Sequence, residues 1–155
     1  ATSFNGDSNT IYVNGRSAGG HLTGMMLATD WEPEFKVPAN LIKGATAVSG
    51  LFDLEPVRLS SVNDWAKMDK EAAYRNSPVH HLPKVPCPLL LAWGGAESSE
   101  FKRQSDVMAV AWRSRGWSCE TLELAGKHHF ATMPDLLDAD SELSEAIFRQ
   151  MGLNR

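Results

Sequence analysis

The chain has 155 residues, of which 43% are hydrophobic, and its formal net charge at pH 7 is −4. This length and composition support a single hydrophobic core, so we expect one domain over residues 1–155. The acidic balance argues against nucleic acid as a partner. No apolar run approaches membrane-spanning length and no signal peptide opens the sequence, so we expect a cytoplasmic protein that has no membrane partner.

The two cysteines, Cys87 and Cys119, lie far apart in the sequence and flank predicted strands. Neither has the spacing of a metal ligand, and two buried free thiols are favoured over a disulfide. We expect neither a metal site nor a cofactor.

Strand and helix patterns alternate along the chain. The predicted strands are Thr10–Asn14, Ala45–Ser49, Leu89–Trp93 and Cys119–Leu124. The predicted helices are Ala18–Thr29, Lys67–Tyr74, Glu100–Arg115, Pro134–Leu137 and Ser141–Met151. Alternation with nearly continuous apolar strands predicts an α/β fold, in which helices cover both faces of a parallel sheet.

Two details of packing follow from the same patterns. In the first helix, the spacing of four apolar residues predicts a core-facing stripe: Leu22, Met25, Met26 and Leu27. The irregular stretch 52–88 is rich in Pro, Ser and Asn, and its position between two strands is typical of a cap or pocket wall. We expect Trp65, within this stretch, to fill core space, or else to face an aromatic ligand.

The motif G-x-S-x-G occupies Gly15–Gly19, directly between the first predicted strand and the first predicted helix. This strand–turn–helix context is that of a nucleophile elbow, which exposes the central serine, Ser17. Side chains next to so tight a turn would collide, so Gly15 and Gly19 keep its surroundings clear. Ser17 then projects at the positive end of a helix dipole. The alternative is a glycine-rich turn whose serine has no function.

An acid and then a histidine should follow the serine, each in a loop after a strand. Glu97 follows the third predicted strand, where a carboxylate that orients the histidine belongs. Its neighbour Glu100 is expected to open the next helix instead, where it favours the helix dipole. Asp53, after the second strand, is the alternative acid.

Two adjacent histidines, His128 and His129, follow the fourth predicted strand. Side chains of adjacent loop residues diverge, so one of the pair should enter the site. The other three histidines (His21, His80 and His81) lack a strand-end position, and we expect surface or capping roles for them.

At this point the sequence resembles a known family. It is similar to the carboxyl-terminal part of an α/β-hydrolase of the kynurenine formamidase (arylformamidase) type, within the hormone-sensitive-lipase-like esterases. The segments that carry the resemblance are Gly15–Leu22, Val48–Pro56, Ser61–Asn63, Asn76–Pro78, Gly94–Phe101, Arg103–Ser105 and His129–Phe130. Together they extend over nearly the whole chain.

The resemblance implies roles for individual residues. It makes Ser17 the nucleophile, Glu97 the acid and His129, which directly precedes a phenylalanine, the general base. Many members of the family have aspartate at the position of Glu97, and the longer side chain requires the loop to retreat slightly. The implied reaction is hydrolysis of a small ester or amide through an acyl-enzyme, above all N-formylkynurenine to kynurenine and formate. The alternatives are a short-chain carboxylesterase and a non-catalytic hydrolase-like fragment.

One feature of the family is missing from the sequence. Family members carry a His-Gly-Gly-type stretch upstream of the elbow whose N–H groups form half of the oxyanion hole. No such stretch precedes Ser17 here, which leaves the Ala18 N–H as one donor. We therefore expect the chain to be part of a longer enzyme. The strand Thr10–Asn14 would then have a free edge, which an amino-terminal segment of the same protein or a second copy should cover.

Overall fold

The structure is a computed structural model, and it describes residues 5–153. Four strands form one parallel sheet in the sequential order β1-β2-β3-β4. Their bounds are β1 Ile11–Arg16, β2 Ile42–Val48, β3 Leu89–Gly94 and β4 Cys119–Leu124. All four strands were predicted, although β1 continues two residues further, to the residue before Ser17, and β2 begins three residues earlier.

Seven α-helices lie within the described residues. They are α1 Ala18–Ala28, α2 Trp31–Phe35, α3 Glu55–Arg58, α4 Asn63–Ala66, α5 Lys70–Arg75, α6 Ser99–Arg113 and α7 Glu142–Gln150. Short 3-10 turns occupy Pro78–His80, His129–Thr132 and Pro134–Leu137. The helices α2, α3 and α4 have four or five residues each and were not predicted, because so short a helix leaves little periodic signal. None of the described helices is long and apolar enough to cross a membrane.

The helices cover both faces of the sheet, as predicted. On one face, α1 and α6 pack against β2 and β3, with Leu27, Leu91 and Trp112 in a shared apolar cluster. On the other face, α7 places Leu143 against Val48 of β2. The sheet is therefore held between helices, and the loops at the carboxyl ends of its strands are free to carry a site.

The expected core face of α1 is confirmed at Leu27, which is buried, and at Met26, which packs against the same apolar cluster, but it is wrong at Leu22. Leu22 is 59% exposed, and apart from Leu27 the buried residues of the helix are small, namely Gly20, Thr23 and Gly24. A Cβ at Gly20 would lie 2.8 Å from the Gly50 Cα, and one at Gly24 would lie 2.8 Å from the Pro78 ring. At these two positions the helix packs too closely for a larger side chain, so glycine faces inwards there and Leu22 faces outwards.

The stretch 52–88 contains α3, α4, α5 and the turn at Pro78–His80. Its residues line a cavity of about 220 Å³, with Asp53, Lys70 and Tyr74 in the wall. That this stretch caps the site stays a prediction. The expectation for Trp65 as core filler is wrong, because α4 lies on the surface and the side chain is 77% exposed.

Both cysteines are free thiols in the described structure. Cys87 is buried, whereas Cys119 is only half-buried because it begins the edge strand β4. Burial raises the pKa of each thiol to about 11. A raised thiol pKa disfavours the reactive thiolate at neutral pH.

Candidate active site

Ser17 lies in a strained turn between β1 and α1. Its backbone has φ 56° and ψ −119°, a left-handed conformation that residues other than glycine rarely adopt. The Ser17 N–H donates to the Val48 carbonyl oxygen over 2.9 Å, which extends the β1–β2 pairing to the serine itself. The turn therefore holds Ser17 at the carboxyl end of the sheet, as a nucleophile elbow does.

Only one of the two glycines of the motif is required by close contact. A Cβ at Gly15 would lie 2.0 Å from the Gly19 carbonyl oxygen, so no side chain fits there. A Cβ at Gly19 would meet nothing within 4 Å, so the expected collision at this position is wrong. The close approach occurs one residue later, at Gly20, which faces the sheet.

His129 reaches Ser17 from the loop after β4. Its Nε2 lies 3.0 Å from Ser17 Oγ, and its side chain is 23% exposed. The two residues are 112 positions apart in the sequence, and the parallel sheet brings their loops together at one edge. The neighbouring His128 is exposed and does not share this contact.

Glu97 holds the other nitrogen of the same ring. Its Oε1 lies 2.5 Å from His129 Nδ1, and the carboxylate side chain is 1% exposed. A carboxylate only accepts, so Nδ1 carries the proton and Nε2 is left as an acceptor for the Ser17 hydroxyl. The structure thus brings the three predicted residues into one hydrogen-bonded chain, while their catalytic roles stay a prediction.

Two donors that were not predicted hold the second oxygen of Glu97. The Ser49 hydroxyl donates to Oε2 over 2.9 Å, and the Gly94 N–H donates to it over 2.7 Å. Ser49 is fully buried and follows β2 directly, so its place at a strand end was the available signal. A buried carboxylate with three donors is fully satisfied, which fixes the orientation of Glu97.

The loops that carry Glu97 and His129 are also joined through the backbone. The Gly95 N–H donates to the Leu124 carbonyl over 2.8 Å, and the Ala96 N–H donates to the Lys127 carbonyl over 3.0 Å. A Cβ at Gly94 would lie 2.2 Å from the Lys127 carbonyl oxygen, so this approach requires glycine. The spacing between acid and base is therefore set by the backbone as well as by their side chains.

Two phenylalanines enclose the imidazole ring. Phe101, in the first turns of α6, stacks on His129 with the ring centres 4.6 Å apart and the planes at 26°. Phe130 meets the ring edge-on at 5.5 Å and is itself exposed. This contact was not predicted from the sequence.

The two alternative acids, Asp53 and Glu100, both contact Arg103. Asp53 Oδ2 accepts from Arg103 over 3.1 Å, and Glu100 pairs with the same arginine over 2.8 Å. That hydrogen bond lowers the pKa of Glu100 and raises the pKa of Arg103. Glu100 lies in the first turn of α6, as predicted, and the histidine partner is Glu97.

The remaining histidines contact the backbone of the 52–88 stretch. His21 Nε2 donates to the Asn76 carbonyl over 2.8 Å, and His81 Nε2 donates to the Tyr74 carbonyl over 3.2 Å. The exposed His80 ring stacks on the Tyr74 ring at 4.5 Å. Among residues 5–153, no group of three or more His, Cys, Asp or Glu side chains is arranged to hold a metal ion.

The site has several of the parts that acyl transfer needs. The hydroxyl of Ser17 has an imidazole nitrogen within hydrogen-bond reach, and the other nitrogen of that ring contacts a buried carboxylate, which is the arrangement that activates a serine in triad hydrolases. Ala18 is the first residue of α1, and the first N–H groups of a helix have no partner within the helix. Its N–H is therefore available to an oxyanion formed at Ser17.

Sequence comparisons relate the chain to kynurenine formamidases. It is 36% identical to the kynurenine formamidase of Salmo salar over 148 residues and 34% identical to that of Danio rerio over 147 residues. Each alignment covers 92% of this chain but 50% of the other protein, so the chain spans about half the length of these curated relatives. No protein-family model matches the sequence.

Solved structures give the same fold. A crystal structure from Silicibacter sp. TM1040, provisionally named a thioesterase, superimposes with a TM-score of 0.75 at 33% identity, over 86% of this chain and 48% of that one. An acylaminoacyl peptidase from Pyrococcus horikoshii gives a TM-score of 0.69 at 18% identity, over 92% of this chain and 24% of the peptidase. The chain therefore has the α/β-hydrolase fold, and in sequence it resembles kynurenine formamidases.

Proposed function

We propose that this chain carries the nucleophile, base and acid of a serine hydrolase that removes the formyl group from an N-formyl aryl amide such as N-formylkynurenine. The observation that carries the proposal is the continuous hydrogen-bonded chain from Ser17 Oγ through His129 to Glu97. The 36% identity to a kynurenine formamidase supports the choice of substrate.

The reaction proceeds in two halves. His129 Nε2 takes the proton of the Ser17 hydroxyl as Oγ bonds to the formyl carbon, and the Ala18 N–H donates to the resulting oxyanion. His129 then gives the proton to the departing arylamine nitrogen, and the C–N bond breaks to leave a formyl ester on Ser17. Water, deprotonated by His129, attacks this ester and releases formate. Throughout, Glu97 stabilises the protonated ring.

A complete oxyanion hole requires a second donor. We propose that it belongs to polypeptide that also pairs with the outer edge of β1, from an amino-terminal part of the same protein or from a second copy. Within the described residues β1 pairs only with β2, and Ile11 and Val13 on it are half-buried. An unpaired apolar edge invites pairing with another strand.

The substrate assignment is tested with the natural full-length protein. We expect kcat/KM for N-formylkynurenine to exceed that for p-nitrophenyl acetate by about tenfold or more, with formate as a product. Ser17→Ala should abolish turnover of both substrates without loss of the fold, because it removes a single half-exposed oxygen. A preference for the acetate ester would instead favour a short-chain esterase.

Ester cleavage is the second candidate, and a specific observation favours it. The Silicibacter structure, which is 33% identical to this chain, carries a thioesterase name. Activity on both substrates that survives Ser17→Ala would contradict both candidates. A natural protein that cleaves neither substrate and does not react with a fluorophosphonate would indicate a non-catalytic interaction module.

A further inference from the structure

One arginine joins the strand that leads to Ser17 and the turn that carries His129. Arg16 is the last residue of β1 and the direct neighbour of Ser17. Its Nη2 donates to the carbonyl oxygen of His129, and its Nε donates to Thr132 Oγ1 over 2.9 Å. The backbones of the candidate nucleophile and base are therefore connected independently of their own side-chain contact.

The connection consists of several contacts with the same turn. Thr132 is fully buried, and its hydroxyl donates to the same His129 carbonyl over 3.0 Å. A guanidinium group presents its donors in a rigid planar fork, so two simultaneous acceptors fix both its distance and its direction. The Arg16 guanidinium carbon also lies 5.7 Å from the centre of the Phe130 ring. Arg16 thus contacts three residues of the turn His129–Thr132.

The distance between Ser17 and His129 depends on how the two loops are held relative to each other. Their contact is a single hydrogen bond of 3.0 Å between side chains on separate loops. A displacement of about 1 Å in such a pair costs on the order of 100-fold in rate. A connection between the backbone beside Ser17 and the backbone of His129 would oppose such a displacement.

We propose that Arg16 is a positioning residue that holds the backbone of His129 where its Nε2 reaches Ser17 Oγ. The proposal rests on the proposed function, because it concerns the activity of the same site. Arg16 acts through His129, and this distinguishes its role from a general contribution to folding.

The first test uses Arg16→Met in the natural full-length protein. Methionine keeps an unbranched apolar side chain and removes every donor. We expect kcat to fall by about 100-fold while KM changes by less than about threefold. Arg16→Lys retains one donor group but not the planar fork, so its kcat should be about tenfold higher than that of Arg16→Met. The matched control is Arg149→Met, which removes an exposed arginine paired with Glu120 over 3.2 Å and should leave kcat unchanged.

The second test asks whether Arg16 acts through His129. The rate of fluorophosphonate labelling at Ser17 is measured for Arg16→Met in the parent protein and in the His129→Ala protein. We expect Arg16→Met to lower the labelling rate strongly in the parent protein and to leave it unchanged in the His129→Ala protein. The effects of two residues that act through one group are not additive. An equal loss in both backgrounds, or a parental kcat in Arg16→Met, would overturn the proposal.

If Arg16→Met does not fold, Thr132→Val is used in its place. It removes the hydroxyl that accepts from Arg16, and we expect a loss of about tenfold that likewise disappears in the His129→Ala background. A loss that persists there would overturn the proposal. If the unmodified protein is not labelled at Ser17, the proposed function itself fails. Labelling that is insensitive to Arg16 and Thr132 overturns the positioning role alone.

Discussion

Exchanging the Glu97 carboxylate for an amide should reverse the tautomer of His129. Glu97→Gln keeps the shape of the side chain but leaves one oxygen where there were two. The Gly94 N–H lies 2.7 Å from one oxygen and His129 Nδ1 lies 2.5 Å from the other. The backbone N–H cannot give up its proton, whereas the imidazole can carry its proton on either nitrogen. We therefore expect the amide oxygen to face Gly94 and the amide nitrogen to face His129.

This orientation disables the base. With an amide N–H directed at Nδ1, the imidazole carries its proton on Nε2 and cannot accept one from Ser17. The substitution also removes the charge that stabilises the protonated ring. A wrong tautomer of this kind costs about 10⁴-fold in kcat in triad enzymes, or roughly 5.5 kcal/mol of transition-state stabilisation.

The effect of Glu97→Gln is measured as steady-state kcat and KM of the variant and of the parent, both as the natural full-length protein. The substrate is whichever of the two test substrates the parent cleaves. KM should change little, because the Glu97 side chain is 1% exposed and is therefore not accessible to a substrate. Glu100→Gln is the matched control, a neighbouring carboxylate that pairs with Arg103, and we expect kcat within about threefold of the parent. If Glu97→Gln retained more than about a tenth of the parental kcat, the tautomer argument would be wrong.

Three further predictions concern the packing of α1, the acid and the buried thiol. Gly20→Ala should lower the free energy of unfolding by about 1–3 kcal/mol, because its Cβ would lie 2.8 Å from the Gly50 Cα. Gly19→Ala is the control and should not lower it, because a Cβ there would meet nothing within 4 Å. The urea midpoints of the two variants are compared. Ser49→Ala leaves the second oxygen of the acid with one donor, so it should lower kcat about tenfold and the free energy of unfolding by about 1–3 kcal/mol, measured by steady-state kinetics and urea midpoints. Burial raises the pKa of Cys87 from 9.0 to about 11, so the neutral thiol is favoured in the fold. The stability from this thiol is complete below pH 9 and lost as the pH rises towards 11, and Cys87→Ala should make the urea midpoint less dependent on pH in that range.

The residues that the sequence identified share one property. Ser17, Glu97 and His129 each follow a predicted strand, and parallel strands bring their carboxyl ends to one edge of the sheet. Ser49 occupies the same kind of position, but a serine after a strand carries no distinguishing pattern. Arg16 contacts a turn that begins 113 residues later, and no local signal reports such a contact.

Packing of α1 shows a second limit of the sequence. Helical periodicity identifies a stripe of large apolar residues and assigns it to the core. In α1 the position of the elbow fixes how the helix meets the sheet, and Gly20 and Gly24 face inwards because the backbones approach closely. The large residue Leu22 is then turned outwards. Tertiary geometry overrides the periodic signal at this helix.

The central claim is that Ser17 is an activated nucleophile. The most direct measurement is reaction of the natural full-length protein with a fluorophosphonate probe, followed by intact mass and peptide mapping. The account predicts one adduct per chain, on the peptide that contains Ser17, and none in Ser17→Ala. An unmodified mass, or an adduct on another residue, would contradict it.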